Sequence, residues 1–402
     1  MLPVADARKR ILGALAPVGA ETVALAVAHG RTLANDLVAK LTQPALAVSA
    51  MDGYAVRAAD IADAPTMLRQ IGAAPAGHPF KGRVSSGECV RIFTGAIVPD
   101  GADTILIQEN ADAEGDHVRA KQSEPLGRFV RPAGLDFALG QKLLPAGTVM
   151  HARQIGLAAA ANHAWLDVRR RPRVAILSTG DEILLPGSLP LPGQIVSSNG
   201  AALAAFVQAA GGDAIQLPIA PDNAQALQAI AAGARGADLL VTSGGASVGE
   251  HDLVRTALGQ SGLALDFWQI AMRPGKPLMF GRYGDVPLLG LPGNPVSSLV
   301  CAVLFLGPAI AALLGHADRG PPTRIAKLGC DLGANDGRED YLRSKIEHDE
   351  FGNLKVTPFQ RQDSSMVHVL AQADALAIRP PLAPPAKAGD PIQIVPLAPF
   401  CG

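Results

Sequence analysis

Carboxylates, hydroxyls and glycines recur together in this chain where short apolar runs end. The fullest instance is Asp238 to Arg255, D-L-L-V-T-S-G-G-A-S-V-G-E-H-D-L-V-R. Asp238 to Val241 has the length and composition of a buried strand, and a helical pattern begins near His251. Between them Ser243, Gly244, Gly245, Ser247 and Gly249 permit tight turns and a close approach of backbone to ligand. Backbone amides with a helix N-terminus behind them form a seat for an anion. Glu250 and Asp252 would repel a bare anion, which points to a divalent cation or a hydroxyl-bearing ligand between them. Read alone, the stretch is equally an ordinary glycine-rich loop.

Further acids fall at predicted strand ends: Asp181 and Glu182 in Thr179-Gly180-Asp181-Glu182, and Asp222. Asp181 or Asp252 would suit a helix N-cap. The whole set on one sheet edge exceeds what capping requires and suits a magnesium-assisted phosphate site. In A-M-R-P-G-K-P, residues 271 to 277, Arg273 and Lys276 flank a Pro-Gly turn. Paired cations on a rigid turn suit a phosphate or another tetrahedral oxyanion, and a solvated surface turn is the plain alternative. G-A-S-V-G, residues 245 to 249, also matches a nucleophile elbow with the required flanks. A triad would then need His316, His348 or His368, none of which stands out, so this reading ranks below the anion seat.

These residues must be positioned by a sheet. From Arg173 the pattern alternates: strand 173–178, helix 200–210, strand 214–220, helix 223–234, strand 238–242, helix 253–258, then strands 265–270, 278–281 and 286–289. Alternation predicts right-handed crossovers and a mainly parallel, three-layer α/β domain. Ligands in such sheets lie beyond the carboxyl ends of the strands, which places Thr179 to Glu182, Asp222 and Ser243 to Asp252 along one edge. Val296 to Leu314 carries no charge over about the minimum membrane-spanning length. Gly307 and Pro308 interrupt it, so we read a buried core or interface helix.

The flanking regions differ. An amphipathic helix is predicted over residues 3–14, and residues 57–140 break into short β-like runs such as Cys89–Phe93, Thr104–Gln108 and His117–Ala120. Asp52-Gly53 suits a hairpin turn, yet that leaves the acid unexplained. Asp136 has no evident charge partner. Beyond Pro321-Pro322 the helical patterns stop and short strands follow. The predicted fold is therefore multidomain α/β plus β. Residues 1–45 and 141–170 form a linker and dimerisation region, 46–140 a mostly β domain, 171–318 the α/β domain, and 319–402 a small C-terminal β domain.

Composition excludes several classes. The 402 residues are 48% hydrophobic and 18% charged, which is globular. A formal net charge of -1 without a basic run gives no nucleic-acid footprint. Cys89, Cys301, Cys330 and Cys401 lie far apart, against zinc-finger or redox spacing, and reduced cytosolic thiols are expected. No signal-peptide pattern follows the basic residues near the start, so a cytoplasmic location is expected.

Taken together the motifs resemble one family. S-A-M-D-G-Y-A-V, R-I-F-T-G-A-I-V-P-D-G-A-D, S-T-G-D-E-I, S-G-G-A-S-V-G-E-H-D, R-P-G-K-P and L-P-G-N-P-V-S-S occur in the order seen in molybdopterin molybdenumtransferases. These are the MoeA-type enzymes and the E domain of gephyrin. The resemblance runs from about residue 5 to 397. It implies an elongated homodimer and the last step of molybdenum cofactor synthesis. There adenylylated molybdopterin and molybdate are substrates, Mg2+ is present and AMP is released. It implies a molybdopterin adenylyltransferase and molybdoenzymes as partners, with no nucleic acid and no membrane.

Carried over by motif, the resemblance implies catalytic roles for Asp52, Thr94, Asp136, Glu182, Asp222 and Asp252, with Glu182, Asp222 and Asp252 as metal ligands. Asp52 and Thr94 would serve the partner subunit's cleft. Thr179, Gly180, Asp181, Ser243, Gly244, Gly245, Ser247, Gly249, Arg273, Lys276, Pro292, Asn294 and Pro295 would bind the cofactor. Arg343 and Ser364 or Ser365 would join them from the C-terminal domain. Two departures stand out: Arg273 replaces an expected lysine, and Ser197 stands where an acid is common. Ser197 leaves room for a competing reading, a molybdopterin-binding or scaffold paralogue with little turnover.

Overall fold

In the computed structural model, residues 1–244 and 253–397 are described. The α/β domain is built on a six-stranded sheet ordered Asp213–Gln216, Arg173–Ser178, Leu239–Ser243, Val286–Leu291, Met279–Tyr283, Leu263–Phe267. The first four strands are mutually parallel, Met279–Tyr283 runs against them and Leu263–Phe267 pairs antiparallel to it, so the mainly parallel expectation holds up to that side of the sheet. Leu239–Ser243 is buried along its whole length, which explains its unbroken apolar character in a central strand.

Helices cover both faces. One core packs Val174, Ile176, Leu239, Val241 and Leu289 against Leu203 and Val207, against Val300 to Ile310, and against Val4, Ala7 and Ile11 of the N-terminal helix Val4–Gly13. The same core takes in Tyr341, Leu376 and Val395 of the C-terminal domain. The other face packs Ala175, Leu177 and Leu240 against Leu227 and Ala231 of Ala224–Ala231 and Val254, Ala257 and Leu258 of Leu253–Gly259. Pro295–Leu313 has the length and composition of a membrane span, with mean hydropathy 2.3, but 89% of that window is buried inside the protein. Its α-helical ends flank a π turn, Ala302–Leu306, just before Gly307-Pro308. Proline has no amide hydrogen to donate, and a wide turn absorbs the mismatch.

The N-terminal β region is a six-stranded sheet ordered Thr104–Ile107, Gly53–Val56, Glu88–Ile92, Thr66–Ala74, His117–Ala120, Ala111–Glu114. Gly53 lies inside a strand, not at a hairpin turn: it pairs with Ile92 on one side and Ile107 on the other. A Cβ on Gly53 would lie 2.1 Å from the Leu106 carbonyl oxygen, so close strand approach, not turn formation, requires the glycine. The intervening region is stitched by the antiparallel pair Ala20–Ala24 and Trp165–Arg169 and by the helix Ala152–Ala160.

In the C-terminal domain Glu339–His348, Leu354–Pro358, Arg324–Leu328, Pro391–Pro396 and Ala375–Arg379 pair in that order, and the last strand returns to the first, closing a barrel. Full closure leaves no open edge among these strands. The expectation of no helix here fails: Val367–Gln372 is helical and packs beside the helix that opens at Pro295. Its exposed and half-buried positions give too little periodicity to read.

Candidate functional site

The carboxyl ends of Arg173–Ser178 and Leu239–Ser243 open onto a cleft of about 730 Å³. Its lining includes Thr179, Gly180, Glu182, Asp222, Ser243, Gly244, Pro292, Asn294 and Pro295. That size suits a small organic ligand. Two glycines shape it. Gly244 has φ +94°, and a Cβ there would lie 2.7 Å from the Thr179 carbonyl oxygen. Gly180 has φ +142°, and its Cβ would sit 2.5 Å from Glu182 Oε2, so only glycine lets that carboxylate fold back onto the strand end.

The polar floor is only partly satisfied. Thr179 is 5% exposed, and its hydroxyl finds no hydrogen-bond partner among the described residues. A buried hydroxyl left unpaired costs free energy unless a ligand or water completes it. Asn199, which opens the helix Asn199–Ala209, donates through Nδ2 to Ser243 Oγ and to the Gly293 carbonyl, each at 2.8 Å. Asn199 was not among the sequence candidates; its signal was an amide side chain at a predicted helix start beside the acidic edge.

Glu182 and Asp222 face the cleft together, with Ser197 and Ser198 beside them. Asp181 does not line it; its Oδ1 accepts from the Asp222 backbone amide at 2.9 Å. Loss of solvent, and then the charges of Asp181 and Glu182, raise the Asp222 carboxyl above its ordinary value. Like charges gathered this way are relieved by a bound cation. No grouping of three His, Cys, Asp or Glu side chains suited to a metal occurs among the described residues. Gly245, Ser247, Gly249, Glu250 and Asp252 lie outside the described residues, so the elbow and the third acid have no structural account.

The C-terminal domain supplies part of the wall. Ser365 lines the cleft, whereas Ser364 Oγ accepts from Asn294 Nδ2 at 3.0 Å, and Val296 donates its amide to the Ser364 carbonyl. Arg343, 1% exposed, holds this segment from behind: its Nη1 donates to the Asp363 carbonyl at 2.7 Å and its Nε to Gln362 Oε1 at 3.1 Å. Burial lowers the affinity of this guanidinium for its proton, and Nη2 has no partner among the described residues.

Arg273 is committed elsewhere. Its guanidinium binds Asp340 through both forks and reaches Asp336 at 3.3 Å, where Met272–Arg273 runs parallel to Glu339–Asp340. Neither Arg273 nor Lys276 lines the cleft, although Pro277 does. The Lys276 carbonyl accepts the amides of Ile270 and Leu278.

The N-terminal candidates stand apart from this cleft, whose lining holds no residue before Ser178. Asp52 Oδ1 accepts from the Thr94 amide at 2.7 Å and from its hydroxyl at 2.8 Å. Those bonds, chiefly the amide, hold the Asp52 carboxyl below the usual carboxylate range. Asp136 is exposed and donates its amide to the Gln43 carbonyl. Of the histidines weighed for a triad, His316 bonds Thr32 at 3.0 Å and His368 bonds Gln372 at 3.1 Å, and neither these nor His348 lines the cleft.

Comparison with known proteins covers nearly the whole chain. Residues 2–162 match the MoeA N-terminal region (domain I and II), 175–312 a probable molybdopterin binding domain, and 325–397 the MoeA C-terminal region (domain IV). A molybdopterin molybdenumtransferase of Nostoc sp. is 38% identical over 90% of this chain and 85% of its own. One of Haemophilus influenzae is 33% identical over 98% of each. Two crystal structures of a molybdopterin biosynthesis MoeA protein from Pyrococcus horikoshii superpose over 98% of this chain and 99% of theirs, with TM-scores of 0.85 and 0.86 at 29% and 25% identity.

Proposed function

The chain belongs to the MoeA family, its activity is that of a molybdopterin molybdenumtransferase, and from that premise we propose how its cleft works. Adenylylated molybdopterin lies in the cleft, molybdate is taken up at the dithiolene, and water cleaves the adenylate to release AMP. The observation that carries this reading is the unpaired Thr179 hydroxyl, buried yet lining the cleft beside Ser243 and Gly244. A pterin edge or phosphate oxygen supplies the missing partner. Ile183, Ile195 and Val196 offer an apolar wall to a flat ring.

Glu182 and Asp222 are the described residues fitted to hold Mg2+, since burial first and then its acidic neighbours push Asp222 toward protonation, which a cation would relieve. Held there, Mg2+ would supply charge neutralisation to the phosphate and its leaving group. The chain's own part is to hold the substrate: hydroxyls of Thr179, Ser297 and Ser365 for polar edges, Asn199 to fix the floor. Asp52 and Thr94, rigid and remote in one subunit, act on the cleft of a partner in a homodimer. The reaction is cytoplasmic, with a molybdopterin adenylyltransferase supplying substrate and molybdoenzymes receiving product.

The test is reconstitution with adenylylated molybdopterin, Mg2+ and molybdate. AMP release that depends on molybdate, and falls in Thr179→Val, supports this reading. Tight pterin binding without turnover favours the scaffold reading left open by Ser197. Absence of pterin binding overturns both.

A further inference from the structure

The geometry points to Arg91 as the positioning residue for the Asp52–Thr94 pair, a role that rests on the proposed action of Asp52. Arg91 stands directly opposite Tyr54 in the antiparallel pair of Gly53–Val56 with Glu88–Ile92. Its guanidinium carbon lies over two rings, 5.1 Å from the Tyr54 centroid and 5.0 Å from that of Phe93. Nη1 donates to the Gly53 carbonyl at 3.1 Å, and Nη2 to Gln108 Oε1 at 2.7 Å.

Each contact touches a neighbour of the pair. Gly53 follows Asp52, and Phe93 precedes Thr94. Gln108 donates its own backbone amide to the Asp52 carbonyl at 3.1 Å. One planar cation therefore joins the three chain segments that set where the Asp52 carboxylate sits. Stacking and forked donation suit arginine, and lysine cannot reproduce both. Asp52 Oδ1 accepts both Thr94 bonds, which fix the carboxylate against this backbone. Phe93 is 36% and Met51 39% exposed, so the pair stands at a surface where a second chain has access.

The experiment compares Arg91→Met, Arg91→Lys and Asp52→Asn in the full-length protein. AMP release gives kcat and KM, and carbon NMR follows the Asp52 carboxyl, assigned by its loss in Asp52→Asn. Arg91→Met keeps the apolar stem but removes the fork and the charge. It should stay folded, lose about 10- to 100-fold in kcat with KM changed less than about threefold, and raise the Asp52 titration midpoint. Arg91→Lys should restore the midpoint in part and kcat less. Wild-type kcat in a folded Arg91→Met overturns the proposal, as does an unmoved Asp52 midpoint. Full activity in Asp52→Asn overturns the reading of Asp52 itself, and the NMR arm then distinguishes that failure from failure of the Arg91–Asp52 linkage.

Discussion

Asn199 is joined to Ser243 across 2.8 Å at the point where the first helix after Arg173–Ser178 meets the end of the central strand. The same Nδ2 donates to the Gly293 carbonyl, so one amide ties the helix start, the strand end and the Pro-Gly-Asn-Pro loop. Asn199→Asp removes both donors and places a carboxylate against a carbonyl. We expect at least about a tenfold loss of pterin affinity, equivalent to ~1.4 kcal/mol, by calorimetric titration. Unchanged affinity would assign the floor to other groups.

Ser197 lines the cleft near Glu182 and Asp222 without adding charge. Ser197→Asp adds a third carboxylate to that wall. Its Mg2+ affinity should rise about 5- to 20-fold in the absence of substrate, and AMP release should reach half its maximum at lower Mg2+. A variant no better at binding Mg2+ would show that the cation is held away from this wall.

Asp222 gives a pH test. A carboxyl whose folded value is raised above 3.8 contributes stability below that value and loses the contribution as pH rises through the raised one. At neutral pH its ionised form therefore opposes folding. Asp222→Asn should raise the Tm at pH 7, and the gain should vanish below about pH 4. Saturating Mg2+ should stabilise the wild type at pH 7 and do so less in Asp222→Asn. A variant that gains nothing at pH 7 would place Asp222 in an ordinary solvated setting.

Gly275 has φ +113°, and a Cβ there would meet Cys301 Sγ at 2.5 Å. Cys301 is fully buried, and burial pushes its thiol well above the ordinary range, so it acts as an apolar plug under the loop that carries Pro277 into the cleft. Gly275→Ala should cost about 1–3 kcal/mol in urea unfolding and weaken pterin binding. Gly275→Ala with Cys301→Ala should recover part of the binding. A double variant no better than the single one would exclude the steric explanation.

The cleft edge was legible because strand ends announce themselves. An apolar run stopped by Thr179-Gly180 or Ser243-Gly244 needs only local pattern and the rule that ligands gather beyond carboxyl ends. Arg273 was not legible as an ion-pair residue, since Asp340 lies in another domain and meets it only through the pairing of Met272 with Glu339. The Arg343 contact with Asp363 follows likewise from the antiparallel register of Glu339–His348 with Leu354–Pro358, which no local window reveals. At Asp52-Gly53 the turn signal misled, because glycine served strand proximity. Arg91 carries no motif of its own; only the register opposite Tyr54 brings it to the pair.

Ser365 in the cleft wall and Ser364 against Asn294 both come from the C-terminal domain, not from the sheet that carries the rest of the cleft. The parallel sheet pairs without any strand of that domain, yet its cleft is walled on this side only where the C-terminal barrel docks. Enclosure of substrate thus depends on contact between two separately built sheets, and not on the parallel sheet alone.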